Sequence, residues 1–277
     1  MATGWVIDHP AHARLLAPLM RELSSPQDVI IACERPEVRA MIENCDGHMP
    51  RRRTVWVPRP VGKGRWRKAW RRTRISRKAL KGVEKVITIG APIELRAAPK
   101  KARRIYITDT EINHLAHSLA KPTDVIIPTH FIDSLSGPLM KKKANFHRID
   151  GLHGHIHLQP HIRPSDVSEP PKILVRKLKG DGIHDSNEIL SIPKSWLDDL
   201  SIHEANENEV EGNPWDLDRT IASMNGVITQ SVTMASEAVI LGVPTLLVTK
   251  AKRGFLDRLQ EDGYPLFIAR EHDESIL

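Results

Sequence analysis

Residues 5–34, WVIDHPAHARLLAPLMRELSSPQDVIIACE, decide the fold. The short run WVID (5–8) stops at Pro10, whose fixed φ suits the first turn of a helix. Leu15, Leu16, Leu19, Met20 and Leu23 then recur at helical spacing, SSPQ turns the chain, and DVIIACE (28–34) is apolar on both faces. A strand, a helix and a second strand with no polar face predict a parallel sheet covered by helices. The pattern continues outward. ERPEVRAMIENC reads as a second helix, TVWVP (54–58), KVITIG (85–90), RIYITD (104–109) and DVIIPTH (124–130) as further strands, with a helix near 112–119.

From residue 146 the chain runs through FHRIDGLHGHIHLQPHIRPSDVSEPP, a Pro-rich stretch that suits a hinge. A second strand–helix series follows. It comprises KILVRKL (172–178), the loop GDGIHDS, a helix near 186–190, NGVITQ (225–230), a helix over 231–241 and PTLLVTK (244–250). The expected fold class is α/β with two Rossmann-like doubly wound lobes, residues 1–160 and 161–277. Ligands of open α/β sheets sit at strand C-terminal ends, so the expected site is the cleft between two such lobes.

Two cysteines, Cys33 and Cys45, lack metal-ligand spacing, and no apolar stretch reaches bilayer length. With no signal-peptide layout at the N-terminus, a cytoplasmic protein is expected. The net charge of +7 is unevenly placed: residues 51–81 hold 14 Lys/Arg and no Asp/Glu, while 198–218 hold eight acidic residues and no Lys/Arg. A helix from Arg65 to Lys81 would set Trp66, Ala69, Trp70, Thr73 and Leu80 near one side, with cations on the others. Basic helices with tryptophan suit an anionic membrane surface, which gives a peripheral location at its inner face and makes Trp66 and Trp70 membrane-facing candidates. The same composition suits nucleic acid or a solvated helix, but no nucleic-acid module cue accompanies it.

The candidate site residues lie at strand ends. Asp8, His9 and His12 occupy the first strand-to-helix turn. Asp109 and Glu111 follow the strand 104–109, where two close carboxylates would share a raised pKa suited to a general base. Asp109, Glu111 and His12 are the catalytic candidates, with a helix-capping role for Asp109 as the alternative. Ser231 and Thr233 open a helix whose free N–H groups attract phosphate. Arg176, His184 and Asp185 flank the glycines of GDGIHDS and extend that phosphate-binding set. His153, His155 and His157 would share a face if extended, yet a zinc site needs four rigid ligands or three and water, so no metal is expected.

VIDHPAHARLLAPLMREL, ITIGAP, TDTEINHLA, DVIIPTHFI, RIDGLHGHIHLQP, LVRKLKGDGIHDS and SVTMASEAVILGVP together resemble the mostly archaeal family called domain of unknown function 354. That family is itself similar to GT-B glycosyltransferases and nucleotide-sugar 2-epimerases. The resemblance implies a GT-B fold, a nucleotide-sugar as substrate, no cofactor, and Glu237 as the acceptor of ribose hydroxyls. It implies a glycosyltransferase working on a lipid-linked or cell-envelope acceptor, with a 2-epimerase or a non-catalytic nucleotide-sugar-binding protein as alternatives. The sequence departs from the pattern in three places: Thr229-Gln230 stands where Gly or Asp is usual, Gly180 where Trp is common, and Ala91 where the epimerases carry Asp.

Overall fold

The computed structural model describes residues 1–158, 170–178, 190–198, 200–204 and 213–270. The chain forms two compact units, Met1–His157 with Asn213–Trp215, and Leu158–Gly212 with Asp216–Leu277. Each is built on one parallel sheet.

Unit 1 holds seven strands: β1 (Thr3–Ile7), β2 (Val29–Cys33), β3 (Arg53–Val57), β4 (Lys85–Ile89), β5 (Arg103–Ile107), β6 (Asp124–Pro128) and β7 (Asn145–Ile149). Their order is β3-β2-β1-β4-β5-β6-β7, all pairs parallel. The order reverses between β1 and β4, the switch point at which an open sheet leaves a crevice above its strand ends. Five helices connect the strands, α1 (Pro10–Leu23), α2 (Pro36–Glu43), α3 (Arg65–Ala79), α4 (Pro92–Ala97) and α5 (His114–Leu119), and α6 (His153–His157) follows β7. Pro10, Pro36 and Pro92 each stand in a first helical turn, where the missing N–H costs no intrahelical bond. Two cores pack on opposite faces of the sheet, one around Trp5, Leu16, Met20 and Ile30, the other around Val6, Ile31, Leu80, Leu95 and Tyr106. Alternate residues of β1 and β2 thus enter different cores, which is why both strands are apolar throughout. Trp215 closes the first core by donating to the Met41 carbonyl at 3.0 Å and stacking on His48 at 4.6 Å.

Unit 2 holds β8 (Lys172–Arg176), β9 (Ser201–Glu204), β10 (Gly226–Thr229), β11 (Thr245–Val248) and β12 (Leu266–Ala269), in the parallel order β12-β11-β10-β8-β9. Its helices include α7 (Leu217–Ala222), α8 (Val232–Ile240) and α9 (Gly254–Glu261). Here the switch point lies between β8 and β10.

Several expectations are corrected. The His153–His157 stretch is helical, so the alternating histidines do not line one extended face. α3 turns Arg72, Ser76 and Ala79 inward and leaves Trp66 and Trp70 77% and 60% exposed, so the tryptophans and the buried Leu80 do not share a side. The strands β7, β9 and β12 and the helices α4, α7 and α9 add to the elements expected. Cys33 and Cys45 are free buried thiols, and burial pushes the Cys33 thiol up to about 11. Among the described residues no helix is long and apolar enough to cross a membrane, and no group of three or more His, Cys, Asp or Glu is placed to hold a metal ion.

Candidate functional site

In unit 1 the C-terminal ends of β1, β4 and β5 gather the titratable residues. Asp8 follows β1, and its backbone N–H donates to His12 Nδ1 at 3.3 Å, holding that imidazole over the strand end. His9 caps α1, its Nδ1 accepting from the Ala11 N–H at 3.2 Å. Burial pushes His12 down to about 4 against the pull of Asp8 and Asp109, so the ring is neutral at physiological pH.

Asp8 is fixed from below by Arg72 of α3. The Arg72 guanidinium is 2% exposed and meets Asp8 Oδ1 at 2.6 Å. It also spans both oxygens of Glu94 in α4, at 2.7 and 2.9 Å, while Ser76 Oγ donates to Glu94 at 3.0 Å. The fork geometry of a guanidinium explains why one arginine serves two carboxylates on different elements. Burial opposes its charge, yet Asp8 and Glu94 outweigh that cost and hold Arg72 well above its ordinary pKa. Sequence reasoning missed this centre, because Arg72 is one of 14 cations in a single run.

Asp109 and Glu111 take different partners. Asp109 Oδ2 lies 2.8 Å from His153 Nδ1, and Thr110 Oγ1 donates to its other oxygen at 3.2 Å. Burial raises the Asp109 carboxyl, but the His153 charge and hydrogen bond outweigh it and leave the pKa below the ordinary value. The shared, raised pKa expected for the pair is therefore not what forms: the neighbour of Asp109 is an imidazole. Glu111 is fully buried and accepts from the Ile132 N–H at 3.2 Å, tying the chain after β6 to the chain after β5. His153 is brought into place by α6, which packs Ile156 on the core that α1 helps to line. Gly90, at the end of β4, has φ +58°, and a Cβ there would meet nothing closer than Asn113 Nδ2 at 3.7 Å.

In unit 2 the corresponding ends carry the phosphate-binding candidates. Arg176 is the last residue of β8, and its carbonyl accepts from the Gln230 N–H at 3.2 Å. Ser231 caps α8, its Oγ accepting from the Met234 N–H at 3.3 Å; Thr233 is exposed in the first turn, and Glu237 is buried, 4% exposed. His184 and Asp185, with the rest of 179–189, lie outside the described residues. Gln230 gives the Thr229-Gln230 departure a structural account. Its Oε1 accepts from the Leu178 N–H at 2.7 Å, and its Nε2 donates to the Leu190 carbonyl. One amide thus ties together the two residues that bracket 179–189, a task neither Gly nor Asp could perform.

Comparison with protein-family models finds no match, and comparison with curated proteins finds none either. Solved structures do match. The UDP-GlcNAc 2-epimerase of Methanocaldococcus jannaschii is similar with a TM-score of 0.62 and 13% identity, over 100% of this chain and 90% of that one. The Neisseria meningitidis UDP-GlcNAc 2-epimerase bound to UDP-GlcNAc gives 0.56 and 11%, over 98% and 88%. The glycosyltransferase of kitacinnamycin gives 0.52 and 12%, over 96% and 85%. At these identities the likeness establishes the fold: an α/β chain with two parallel sheets, as in GT-B-like nucleotide-sugar 2-epimerases and glycosyltransferases.

Proposed function

We propose that this protein is a metal-independent glycosyltransferase that moves a sugar from a nucleotide-sugar to a lipid-linked or cell-envelope acceptor. The reading rests on what stands at the two switch points. Unit 1 presents proton-transfer side chains, Asp8, His12, Asp109 and Glu111, at the ends of β1 and β5. Unit 2 presents Arg176, a capped helix N-terminus at Ser231 and Thr233, and the buried Glu237 at the ends of β8 and β10. The first set suits removal of a proton from an acceptor hydroxyl. The second suits a diphosphate, stabilised by the N–H groups and dipole of α8, with Glu237 accepting from ribose. His184 and Asp185 complete that donor set in the proposal, and the nucleotide-sugar enters as substrate with no cofactor. The resemblance to the family of unknown function 354 supports the same class.

The acceptor class draws on α3. Its outward face carries Trp66 and Trp70, each under an arginine of the same helix, Arg65 at 5.3 Å and Arg74 at 4.7 Å. Exposed indoles among cations suit the headgroup region of an anionic membrane, so the proposal places the protein in the cytoplasm, peripheral at the inner face.

A second reading, 2-epimerisation of the nucleotide-sugar, draws on the epimerases among the solved neighbours. Ala91, which stands where the pattern implied by the resemblance gives epimerases an Asp, weighs against it. Thermal unfolding with a panel of nucleotide diphosphates and nucleotide-sugars tests the proposal, run beside Ser231→Ala and Glu237→Ala. A ligand at about a hundred times its Kd stabilises by roughly 2.7 kcal/mol. A shift with one nucleotide, lost in both variants, is the expected result; no shift with any of them overturns the donor assignment. Product analysis then separates the readings, because transfer needs an acceptor and epimerisation does not.

A further inference from the structure

The geometry points to His153, oriented by Asp109, as the proton acceptor of the unit 1 site, with Asp109 as its positioning residue. This inference rests on the transferase reading and changes which residue does the chemistry. Three observations carry it.

The first is the pairing itself. Asp109 Oδ2 stands 2.8 Å from His153 Nδ1, and both side chains keep some exposure, 22% and 29%, so the pair can be reached from solvent. A carboxylate on Nδ1 fixes the tautomer with the proton on that nitrogen and leaves Nε2 as the basic atom. The second concerns Asp109. One oxygen faces His153 and the other accepts from Thr110, so the carboxylate is engaged on both sides. Its lowered pKa makes it a weak base but a good partner for an imidazolium.

The third concerns His12, the other imidazole of the cluster. Its Nδ1 accepts from the Asp8 backbone N–H rather than donating to a carboxylate, and burial outweighs the attraction of Asp8 and Asp109 for a proton on that ring. Burial holds that ring neutral down to about pH 4. Asp8, which acts on His12, is bound to Arg72. Asp8, Asp109, His153 and Arg35 are the charged and titratable groups that act on His12, and Asp109 is also the carboxylate that meets His153 Nδ1.

In the transfer step the acceptor hydroxyl gives its proton to His153 Nε2 as its oxygen forms the bond to the anomeric carbon. The bond from that carbon to the diphosphate oxygen breaks, and its electron pair leaves with the nucleoside diphosphate. Asp109 stabilises the imidazolium until the proton passes to water.

The test uses the full chain with His153→Gln and Asp109→Asn. NMR titration follows the His153 imidazole, assigned by its disappearance in His153→Gln. The midpoint is expected to fall in Asp109→Asn, because removal of a paired negative charge weakens the protonated ring. Turnover of the nucleotide-sugar found by thermal shift is expected to fall at least about a hundredfold in His153→Gln, with the nucleotide-induced shift unchanged. In Asp109→Asn the acid limb of the pH profile should move to lower pH, which a merely structural role would not produce. A His153 midpoint indifferent to Asp109, or His153→Gln turnover within about threefold of wild type, overturns the inference. A wild-type chain that responds to no nucleotide overturns the transferase reading and, with it, the step assigned to His153. The titration then reports on the pairing alone, so the two failures are told apart.

Discussion

Arg72→Met tests the centre on which the unit 1 site is built. The methionine keeps most of the side-chain volume and removes the charge from a position 2% exposed. Asp8, 26% exposed, can turn toward water when its partner is lost. Glu94 cannot: it is fully buried, and without Arg72 its carboxylate keeps the Ser76 hydroxyl as its remaining side-chain donor. Breaking a buried pair by removing one member costs about 3–5 kcal/mol, a large part of the roughly 5–15 kcal/mol that holds a typical domain folded. The same argument predicts rescue. In Arg72→Met/Glu94→Met no buried charge is left, and stability should return to within about 1 kcal/mol of wild type or exceed it. Urea unfolding followed by far-ultraviolet circular dichroism and by the fluorescence of buried Trp5 gives each value, and the double-mutant cycle isolates the coupling. A single mutant that loses less than about 1 kcal/mol, or a double mutant no more stable than Arg72→Met, would refute the reasoning.

Other outcomes are equally definite. His12, at about 4 in the folded chain and about 6.5 when unfolded, binds fewer protons folded, so it favours folding less as pH falls from 6.5 toward 4. His12→Gln should flatten that part of the stability–pH curve. Asp28, 2% exposed, accepts from the Thr3 N–H, Trp5 Nε1 and Ser25, and these bonds outweigh burial to lower its pKa. Its contribution is present above the unfolded carboxyl value and is lost as pH falls through the folded one; Asp28→Asn should cost about 2–3 kcal/mol in urea unfolding. Gln230→Ala strips the Leu178 N–H and the Leu190 carbonyl of their shared partner and should lower unit 2 stability by about 1–3 kcal/mol. Trp66→Ser and Trp70→Ser should change stability by less than about 0.5 kcal/mol, both side chains being exposed. Sedimentation with phosphatidylglycerol vesicles should show their binding reduced, and undiminished binding would refute the membrane role of α3.

The parts of the fold legible in the sequence are those whose burial writes a periodic apolar pattern. β1, β2, β4, β5 and β6 lie inside a sheet covered on both faces, so each carries two or more Val or Ile, joined by Trp5 in β1 and Tyr106 in β5, between turn residues. β7 (NFHRI), β9 (SIHE) and β12 (LFIA) are edges of their sheets, and edge strands keep exposed or polar residues that blur the pattern. Helix α3 shows the same limit in charge. Its basic run was plain, but nothing in RWRKAWRRTRISRKA marks Arg72 as the inward arginine, because its partners Glu94 and Asp8 lie on other elements.

The candidate site divides along the same line. Strand-end positions follow from topology, so Asp8, Asp109, Arg176 and Ser231 could be found from the strand pattern alone. Pairings do not follow, because they depend on where a distant element docks. Asp109 and Glu111, two residues apart, invite a reading as coupled carboxylates, yet the chain after β5 turns one toward His153 and the other toward the Ile132 N–H. The histidine alternation of GLHGHIHLQP misleads for a related reason. Leu152, Ile156 and Leu158 alternate with the histidines as a half-buried strand would, yet His153–His157 is one short helical turn that packs Ile156 on the core and leaves His155 exposed. Once that stretch is a helix, His153 stands apart from its two neighbours in role, and its pairing with a partly buried carboxylate on another element makes it more than a linker residue. A chain in which Asp109 is the base would have no use for an imidazole at that oxygen; a chain in which His153 is the base needs a group such as Asp109 there.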